Sequence, residues 1–375
     1  MYRLVKAFGD AVVRKIAKSL PELQRAVVEK TFPTRASYCP VAPANALMLS
    51  HALVARLTVP IHFNPYHIYC LRNVHVTWDG AVFHNLRLFG PSIVHRRFRS
   101  RFQDTLLLRQ WLGEKVRVTG TAIAVCHNQW STENYYHWLI DSLPRLLALR
   151  SAYPGIKLLL PQVSDIHPVP EFITTSARLL GFPNQLPLNS QQILNAHSVV
   201  MPTLTATSLT QRPELVRQVQ QELLAALGME PTQPFRRIYA ARAAGFLRNL
   251  RNEPEVEEWL RQEGFEKVYF EELSLLEQVR LMRETEVLLA VHGANMTNML
   301  FLPSTSKVIE IHNKEYGDPC YLRLASCLEL EFYICPCTGV DPRLGNQSDV
   351  VVDMTLLQAI TNLALTKKSK CANFS

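Results

Sequence analysis

The chain lacks the sequence signals that mark redox, zinc-finger and membrane-spanning proteins. Its eight cysteines form no Cys-x-x-Cys pair, and no histidine–cysteine set has zinc-finger spacing. We interpret them as reduced, mostly buried thiols, which indicates a reducing compartment. No apolar run reaches about 18 residues, so we predict no membrane-spanning helix. The first ten residues also lack the continuous apolar region of a signal peptide, and a cytoplasmic protein is therefore predicted.

Two common phosphate-binding signatures are also missing. Neither Gly-x-Gly-x-x-Gly nor a Walker loop occurs, which excludes the usual dinucleotide and ATP sites. The net charge of +8 and the pI near 9.1 nevertheless suit an acidic partner, such as nucleic acid, an anionic membrane surface or a nucleotide-activated substrate. Because the charge is spread along the chain without a basic–aromatic strip, we predict no nucleic-acid partner.

Length and composition predict a globular protein of two domains. A chain of 375 residues is too long for one ordinary core, and 47% hydrophobic with 19% charged residues is typical of a folded protein. Residues 3–30 read as an amphipathic basic helix, which predicts either peripheral contact with an anionic membrane surface or packing on the body of the protein. Residues 31–60 contain four prolines and read as an irregular connection.

The rest of the chain alternates between strand and helix patterns, which indicates an α/β fold. Val74–Trp78 and Ala81–His84, joined by Asp79-Gly80, predict a β-hairpin. Gly228–Pro234 reads as an inter-domain linker. We therefore predict two Rossmann-like domains facing a cleft, preceded by a helical and β-hairpin extension. The predicted strands are 116–125, 156–160, 197–201, 237–241, 267–270, 286–291 and 307–311. The predicted helices are 133–150, 171–180, 214–227, 254–262, 274–283 and 353–366.

The most informative segment is a predicted crossover between strands 286–291 and 307–311. The first strand runs into His292, Gly293 and Ala294, where small residues would let a ligand approach the backbone. The backbone N–H groups of the turn that follows offer a site for a phosphate or diphosphate. His292 would donate a hydrogen bond to the diphosphate or sugar, or it would simply close the turn.

Other polar residues are predicted to lie near this turn. Asn295 and Asn298 would cap the short helix or contact the ligand, and Glu310 would accept from ribose hydroxyls or pair with an arginine. Arg242 ends a strand and Arg248 lies in the loop after it. Arginine forks match phosphate oxygens and can stabilise the charge of a departing diphosphate, although a solvated loop arginine is the ordinary alternative.

A second polar set lies on predicted helix 133–150. Asn134, His137 and Asp141 share one helix face, and Tyr136 lies beside them on the predicted acceptor side. A histidine and a carboxylate one turn apart can act as a general base and its partner. Asp141 is the first choice for the base because a carboxylate is ionised at neutral pH, and His137 would then orient it. The alternative is a polar network that only holds the helix in place.

Three segments, within about residues 118–312, carry a family resemblance. The signature of glycosyltransferase family 61 resembles the run His292-Gly-Ala-Asn-Met-Thr-Asn-Met-Leu-Phe. A second matching run is Asn134-Tyr-Tyr-His-Trp-Leu-Ile-Asp-Ser-Leu-Pro-Arg145. Arg242 to Glu253 resembles the family's basic loop. The resemblance implies the two-domain GT-B fold, a nucleotide-diphosphate sugar as co-substrate, most simply a UDP-sugar, and inversion at the anomeric carbon.

The resemblance leaves three functional readings. The first is an inverting transferase acting on a hydroxyl of a glycan or glycolipid in surface polysaccharide synthesis. The second is a nucleotide-sugar-binding protein of the same fold without catalysis, and the third is a nicotinamide-dependent oxidoreductase. Because the chain contains no Asp-x-Asp, we expect no metal ligands and no cofactor, with arginine and a helix N-terminus replacing the cation. The predicted domains are 1–60, 61–228, 229–345 and 346–375, with the donor bound in the third and the acceptor in the second.

Overall fold

The structure, a computed structural model, describes residues 26–33, 37–85, 87–95, 98–99, 112–230, 232–243, 247–316 and 318–366. Most of the predicted helix 3–30 lies outside these ranges. Its described end, Ala26–Phe32, is a strand, so the helix prediction is wrong there. This segment contains valine, threonine and phenylalanine, which favour extended backbone, and it pairs with a neighbouring strand.

The strands and helices of the described residues follow the predicted alternation. The strands are β1 (Ala26–Phe32), β2 (Tyr66–Thr77), β3 (Val82–His84), β4 (Arg87–Leu88), β5 (Glu114–Ala124), β6 (Lys157–Pro161), β7 (Gln185–Leu188), β8 (Gln192–Pro202), β9 (Arg236–Ala240), β10 (Phe265–Val268), β11 (Thr285–Val291), β12 (Lys307–Asn313), β13 (Glu331–Gly339) and β14 (Val350–Val351). The helices are α1 (His51–Leu57), α2 (Leu143–Arg150), α3 (Glu171–Leu179), α4 (Pro213–Ala226), α5 (Glu253–Gln262), α6 (Leu275–Arg283), α7 (Cys320–Cys327) and α8 (Met354–Thr366). Among these helices, none is long and apolar enough to cross a membrane.

The chain divides into two compact units. Of the described residues, those within 26–33 and 64–208 form unit 1, and those within 37–63 and 209–366 form unit 2. The predicted boundaries at 60, 228 and 345 differ from this division and remain predictions. Residues 31–60 were expected to be an irregular connection, but their described part contains the helix α1 and contributes to unit 2 through Asn45, whose side chain exchanges hydrogen bonds with the backbone of Ile334 in β13.

Unit 1 is built on a mixed sheet with the strand order β4-β3-β2-β8-β5-β6-β7, and β1 also pairs with β2. Strands β8, β5, β6 and β7 are parallel, whereas β1 to β4 are antiparallel to their neighbours and β2 is antiparallel to β8. The predicted hairpin is β2–β3, with Gly80 at a φ of 83° in its turn. Apolar side chains of β2, β5, β6 and β8 form the core beneath it.

Unit 2 contains a parallel sheet with the order β10-β9-β11-β12-β13 and the antiparallel edge strand β14. Counted along the chain from β9, this is the order 2-1-3-4-5, which is typical of doubly wound α/β folds. In such sheets ligands bind at the carboxyl ends of the strands, where the strand order reverses. That point lies between β9 and β11. The α/β prediction is thus confirmed, and the predicted capping box of Ser274 and Glu277 begins α6.

Two glycines of unit 1 allow the cost of steric crowding to be separated from the cost of a positive φ. Gly80 and Gly120 have the same φ of 83°, but a Cβ on Gly80 would lie 2.7 Å from the His127 carbonyl oxygen, whereas a Cβ on Gly120 would meet nothing within 4 Å. We expect Gly120→Ala to cost about 1–2 kcal/mol through its φ alone. Gly80→Ala should cost about 1–3 kcal/mol more, because backbone must move. Urea midpoints of the two purified variants check this, and equal losses would contradict it.

Candidate functional site

The carboxyl edge of the unit 2 sheet carries most of the residues that the sequence singled out. Arg242 follows β9 and His292 follows β11, so they lie on either side of the strand-order reversal. Glu310 and His312 lie in β12. The strand alternation would place residues 310 and 312 on the same face, and both are only 1% exposed.

Glu310 lies between two histidines. Its Oε1 is 2.5 Å from His292 Nδ1, and its Oε2 is 3.3 Å from His312 Nδ1. Burial raises the pKa of this carboxyl group, but the charges of His312 and His292 and the hydrogen bond from His292 outweigh it, so the pKa is lowered to about 2. Glu310 was predicted to contact ribose or an arginine. In place of the predicted arginine it contacts two imidazoles and orients the His292 ring, and its contact with ribose remains a prediction.

Gly293 makes room for Arg242 and does not leave open space for a ligand. A Cβ at residue 293 would overlap Arg242 Nη2 and lie 2.7 Å from its Cζ. The guanidinium donates from Nη2 to the His292 carbonyl and from Nη1 to the Leu247 carbonyl, at 3.0 Å each. Burial, with a smaller effect of the nearby Arg248, lowers the pKa of Arg242 to about 10, so the group stays charged at neutral pH. The open approach predicted beside Gly293 is therefore corrected.

Arg248 lies beside the same histidines with a strained backbone. Its φ is 66°, a region that residues other than glycine rarely adopt, and such outliers cluster at functional sites. It lines a cavity of about 10 Å³ together with His292, His312 and Tyr316. This arrangement holds a second guanidinium near the end of β12.

The segment after Gly293 is a 3₁₀ helix, Ala294–Phe301, and most of its side chains point inwards. Asn295 donates from Nδ2 to the Ala241 carbonyl at 3.2 Å and so ties this helix to the end of β9. Asn298 is fully buried. Both asparagines therefore contribute to the packing of the turn, and their predicted contact with a ligand remains a prediction.

Sequence reasoning missed three residues around His292. Asp318 Oδ2 lies 4.0 Å from His292 Nε2, and the Tyr321 ring packs edge-to-face on the imidazole with centroids 4.9 Å apart. Cys320 lies close by, and burial raises the pKa of its thiol well above the usual value. No sequence signal marked these residues, because they precede or begin a helix that the sequence analysis did not predict.

In unit 1, His137 and Asp141 form the predicted pair. His137 Nδ1 lies 2.8 Å from Asp141 Oδ2, and Ser208 Oγ donates to the same oxygen at 3.2 Å. The side chain of Asp141 is 4% exposed and that of His137 is 15% exposed. Asn134 Oδ1 accepts from the His137 backbone N–H at 3.2 Å, whereas Tyr136 is buried with its ring edge-to-face on His137. The geometry thus presents the imidazole and withdraws the carboxylate.

The helix that carries this pair is irregular and is fixed at one end. His137–Ser142 is a π-helical turn in which the Leu143 N–H donates to the Trp138 carbonyl, and α2 follows directly. Arg145 is buried and donates to the carbonyl oxygens of Cys126 and Pro202, so its guanidinium joins the ends of β5 and β8. π-Turns are frequent at functional sites. The last residue of the second motif is therefore a structural clamp.

An aromatic residue, Trp130, lies beside the His137–Asp141 pair. The Trp130 ring packs on His137 with centroids 5.2 Å apart and planes tilted by 31°. Its loop is held by Asn128, whose Oδ1 accepts from the Trp130 backbone N–H at 2.8 Å. Apolar ring faces beside a polar group are common in binding sites for amphipathic ligands. Sequence reasoning did not select Trp130, because a tryptophan in a loop carries no periodic signal.

Comparison with known proteins gives a family match and partial matches to curated relatives. Residues 135–309 match the model of the family Glycosyltransferase 61. EGF domain-specific O-linked N-acetylglucosamine transferase of Canis lupus familiaris is 41% identical over 56 residues, 15% of this chain and 10% of that protein. The protein of the same name from Drosophila melanogaster is 34% identical over 99 residues, 25% of this chain and 18% of that protein. The chain thus spans less than a fifth of either relative.

These matches confirm the family resemblance inferred from the three segments. The matched range contains His137, Asp141, Arg242, Arg248 and His292. The matches favour the glycosyltransferase reading over the nicotinamide-dependent oxidoreductase. The roles of the individual residues remain predictions that rest on the geometry above.

The contact between Gly293 and Arg242 can be tested by a double-mutant cycle. We expect Gly293→Ala to destabilise the chain by about 1–3 kcal/mol, because the added carbon overlaps the guanidinium. In an Arg242→Ala background the same substitution should cost much less, since the clashing atoms are gone. Urea unfolding of the four proteins gives the coupling. An unchanged cost of Gly293→Ala without Arg242 would contradict the assigned cause.

Proposed function

We propose that this chain, whose residues 135–309 match glycosyltransferase family 61, is an inverting glycosyltransferase that uses a nucleotide-diphosphate sugar, with UDP as the nucleotide. The observation that carries the proposal is the placement of Arg242 and His292 on either side of the strand-order reversal in the unit 2 sheet. Positive and hydrogen-bonding groups at such a point suit a diphosphate.

The donor side of the reaction is assigned to unit 2. When the bond between the anomeric carbon and the diphosphate oxygen breaks, its electron pair stays on the diphosphate. Arg242 and Arg248 would stabilise that charge, because guanidinium groups bind phosphate oxygens through paired N–H donors. The N–H groups at the start of the 3₁₀ helix would add to this. Glu310 contributes indirectly by orienting His292.

The base is assigned to unit 1, and the geometry favours His137 over Asp141. Asp141 accepts hydrogen bonds from His137 and Ser208 and is the less exposed of the pair. With Nδ1–H bound to the carboxylate, His137 keeps an unprotonated Nε2 that can take the proton of an acceptor hydroxyl. The oxygen of that hydroxyl then attacks the anomeric carbon from the side opposite the diphosphate. The GT-B arrangement that this requires is part of the proposal, supported by the family resemblance.

The acceptor is proposed only by class. A hydroxyl of a glycan or glycolipid in surface polysaccharide synthesis remains the first proposal, and the names of the relatives add a protein hydroxyl as a further acceptor to test. Trp130 beside His137 offers an apolar face for a sugar ring. A nucleotide-sugar-binding protein without catalysis is the second candidate.

A panel of nucleotide sugars tests the function. A donor that binds the native state raises its stability, by about 2.7 kcal/mol at a concentration 100 times its dissociation constant. We expect UDP-sugars to raise the melting temperature, NADH to have no effect, and at least one UDP-sugar to be hydrolysed or transferred. Stabilisation without any turnover would support the binding protein, whereas no stabilisation by any nucleotide sugar would overturn the proposal.

The arginines should contribute directly to donor affinity. We expect Arg242→Ala and Arg248→Ala each to weaken UDP binding by about 1.5–3 kcal/mol, as for loss of a charged hydrogen bond. Arg251→Ala is the matched control, because Arg251 is 63% exposed and pairs with Asp349 at 2.9 Å. Calorimetric titration with UDP measures all three. Unchanged affinity in both site variants would remove these arginines from the donor site.

Substitutions in the His137–Asp141 pair should affect turnover without affecting donor binding. We expect His137→Ala and Asp141→Asn to lower kcat by about 10²–10⁴-fold, the usual cost of losing a general base, with the KM for the donor little changed. Added imidazole should restore part of the His137→Ala activity. Ser208→Ala keeps the His137–Asp141 hydrogen bond and should lose far less. Near-normal kcat in both folded variants would show that the motif is structural.

A further inference from the structure

The His292–Glu310–His312 cluster has the composition and spacing of a metal site. One ligand atom from each side chain lies within 4.8 Å of the other two. All three residues are buried, with exposures of 8% for His292 and 1% for each of the others. Two histidines and a carboxylate are a frequent ligand set for divalent transition metals.

A second, independent observation concerns His312. Neither of its ring nitrogens has a hydrogen-bond partner among the described residues, although the side chain is buried in β12. Its Nδ1 faces Glu310 at 3.3 Å without the alignment of a hydrogen bond. A buried polar group without a partner is costly, so such a group indicates an unplaced ligand or water. The cavity of about 10 Å³ that His292 and His312 line has room for about one water molecule or one metal ion.

We propose that His292, Glu310 and His312 bind one divalent transition-metal ion of the Zn²⁺ type, through His292 Nδ1, the Glu310 carboxylate and a ring nitrogen of His312. Tetrahedral ligands at about 2.0–2.2 Å from an ion stand roughly 3.3–3.6 Å apart, and the 3.3 Å between His312 and Glu310 lies at the lower end of this range. The 2.5 Å between His292 and Glu310 must widen by roughly 0.8 Å or more when the ion binds. The remaining coordination positions would be taken by water.

The ion would place a further positive charge beside the buried Glu310 carboxylate. It also changes what His292 can do. An ion on Nδ1 moves the ring proton to Nε2, with no net loss of a proton, so Nε2 becomes a hydrogen-bond donor. In the metal-free state a neutral His292 uses its one N–H for Glu310 and presents only an acceptor at Nε2. The ion would therefore prepare His292 to donate to an anionic ligand.

A second grouping, His292 with Asp318 and Cys320, is less well prepared for an ion. Asp318 Oδ1 already accepts from the Cys320 backbone N–H at 3.0 Å. Burial raises the pKa of the Cys320 thiol well above the usual value, so binding an ion there would require deprotonation of a buried thiol. The histidine–carboxylate–histidine set therefore carries the proposal. The expectation of a metal-free site came from the missing Asp-x-Asp, a motif that cannot report ligands from separate strand ends.

Direct metal binding by the full chain tests the proposal, and no donor or enzymatic activity is needed. The chain is stripped with a chelator and titrated with Zn²⁺ by calorimetry and with Co²⁺ by visible absorption. We expect one tight site per chain, a Co²⁺ spectrum of nitrogen and oxygen ligation, and a higher melting temperature with Zn²⁺. His312→Asn should weaken binding by more than the roughly 10–100-fold that outer-shell changes cost. His312→Phe, which keeps the volume, should do the same if His312→Asn folds poorly.

The control is His197→Asn, which removes an exposed histidine of unit 1 that pairs with Asn73 and should leave binding unchanged. Absence of stoichiometric binding in the wild-type chain would overturn the proposal. Equal binding by folded His312 variants would also overturn it, since the ion would then lie elsewhere. Either result leaves the proposed transfer reaction standing, because UDP binding is measured separately.

Discussion

The burial of one carboxylate governs the site in unit 2. A charged group in the interior of a sheet is stable only with opposite charge or strong hydrogen-bond donors, and Glu310 accepts a hydrogen bond from His292 on one side and faces His312 Nδ1 on the other. Because this contact fixes the His292 ring, the backbone at the end of β11 is also fixed. The His292 carbonyl then receives Arg242, and Gly293 leaves the space that its guanidinium fills. Each of these features depends on the one before it.

Each of the two units contains a histidine that is oriented by a buried carboxylate. In each, a buried carboxylate holds the Nδ1 side of a histidine, Asp141 for His137 and Glu310 for His292. Such pairs fix the ring orientation and the tautomer, so the outward nitrogen has a defined character. In unit 1 the Arg145 guanidinium joins the ends of β5 and β8 next to the helix that carries His137. In unit 2 the parallel sheet itself carries His292 and Glu310. The same carboxylate–histidine contact therefore occurs on a helix in unit 1 and at the edge of a sheet in unit 2.

The sequence predicted those parts of the fold that depend on local patterns. Alternating apolar strands and amphipathic helices gave the α/β class, Asp79-Gly80 gave the hairpin, and Ser274 gave the start of α6. It failed where tertiary contacts decide. Whether Glu310 faces a ribose or a histidine depends on which side chains pack around it in the folded sheet, and no local pattern reports those contacts. Likewise, the role of Gly293 depends on a side chain about fifty positions away in the chain, Arg242.

The π-turn at His137–Ser142 has a consequence for how relatives of this chain should be compared. One residue of an α-helix corresponds to about 100° of rotation, so an insertion or deletion inside this turn would swing His137 away from Asp141 while Arg145 stayed clamped. Substitutions here change chemistry one side chain at a time, whereas a single gap changes the direction of every residue before it. A relative that retains every residue of the motif but has one insertion or deletion in this turn would therefore have the same residue types without the same site geometry.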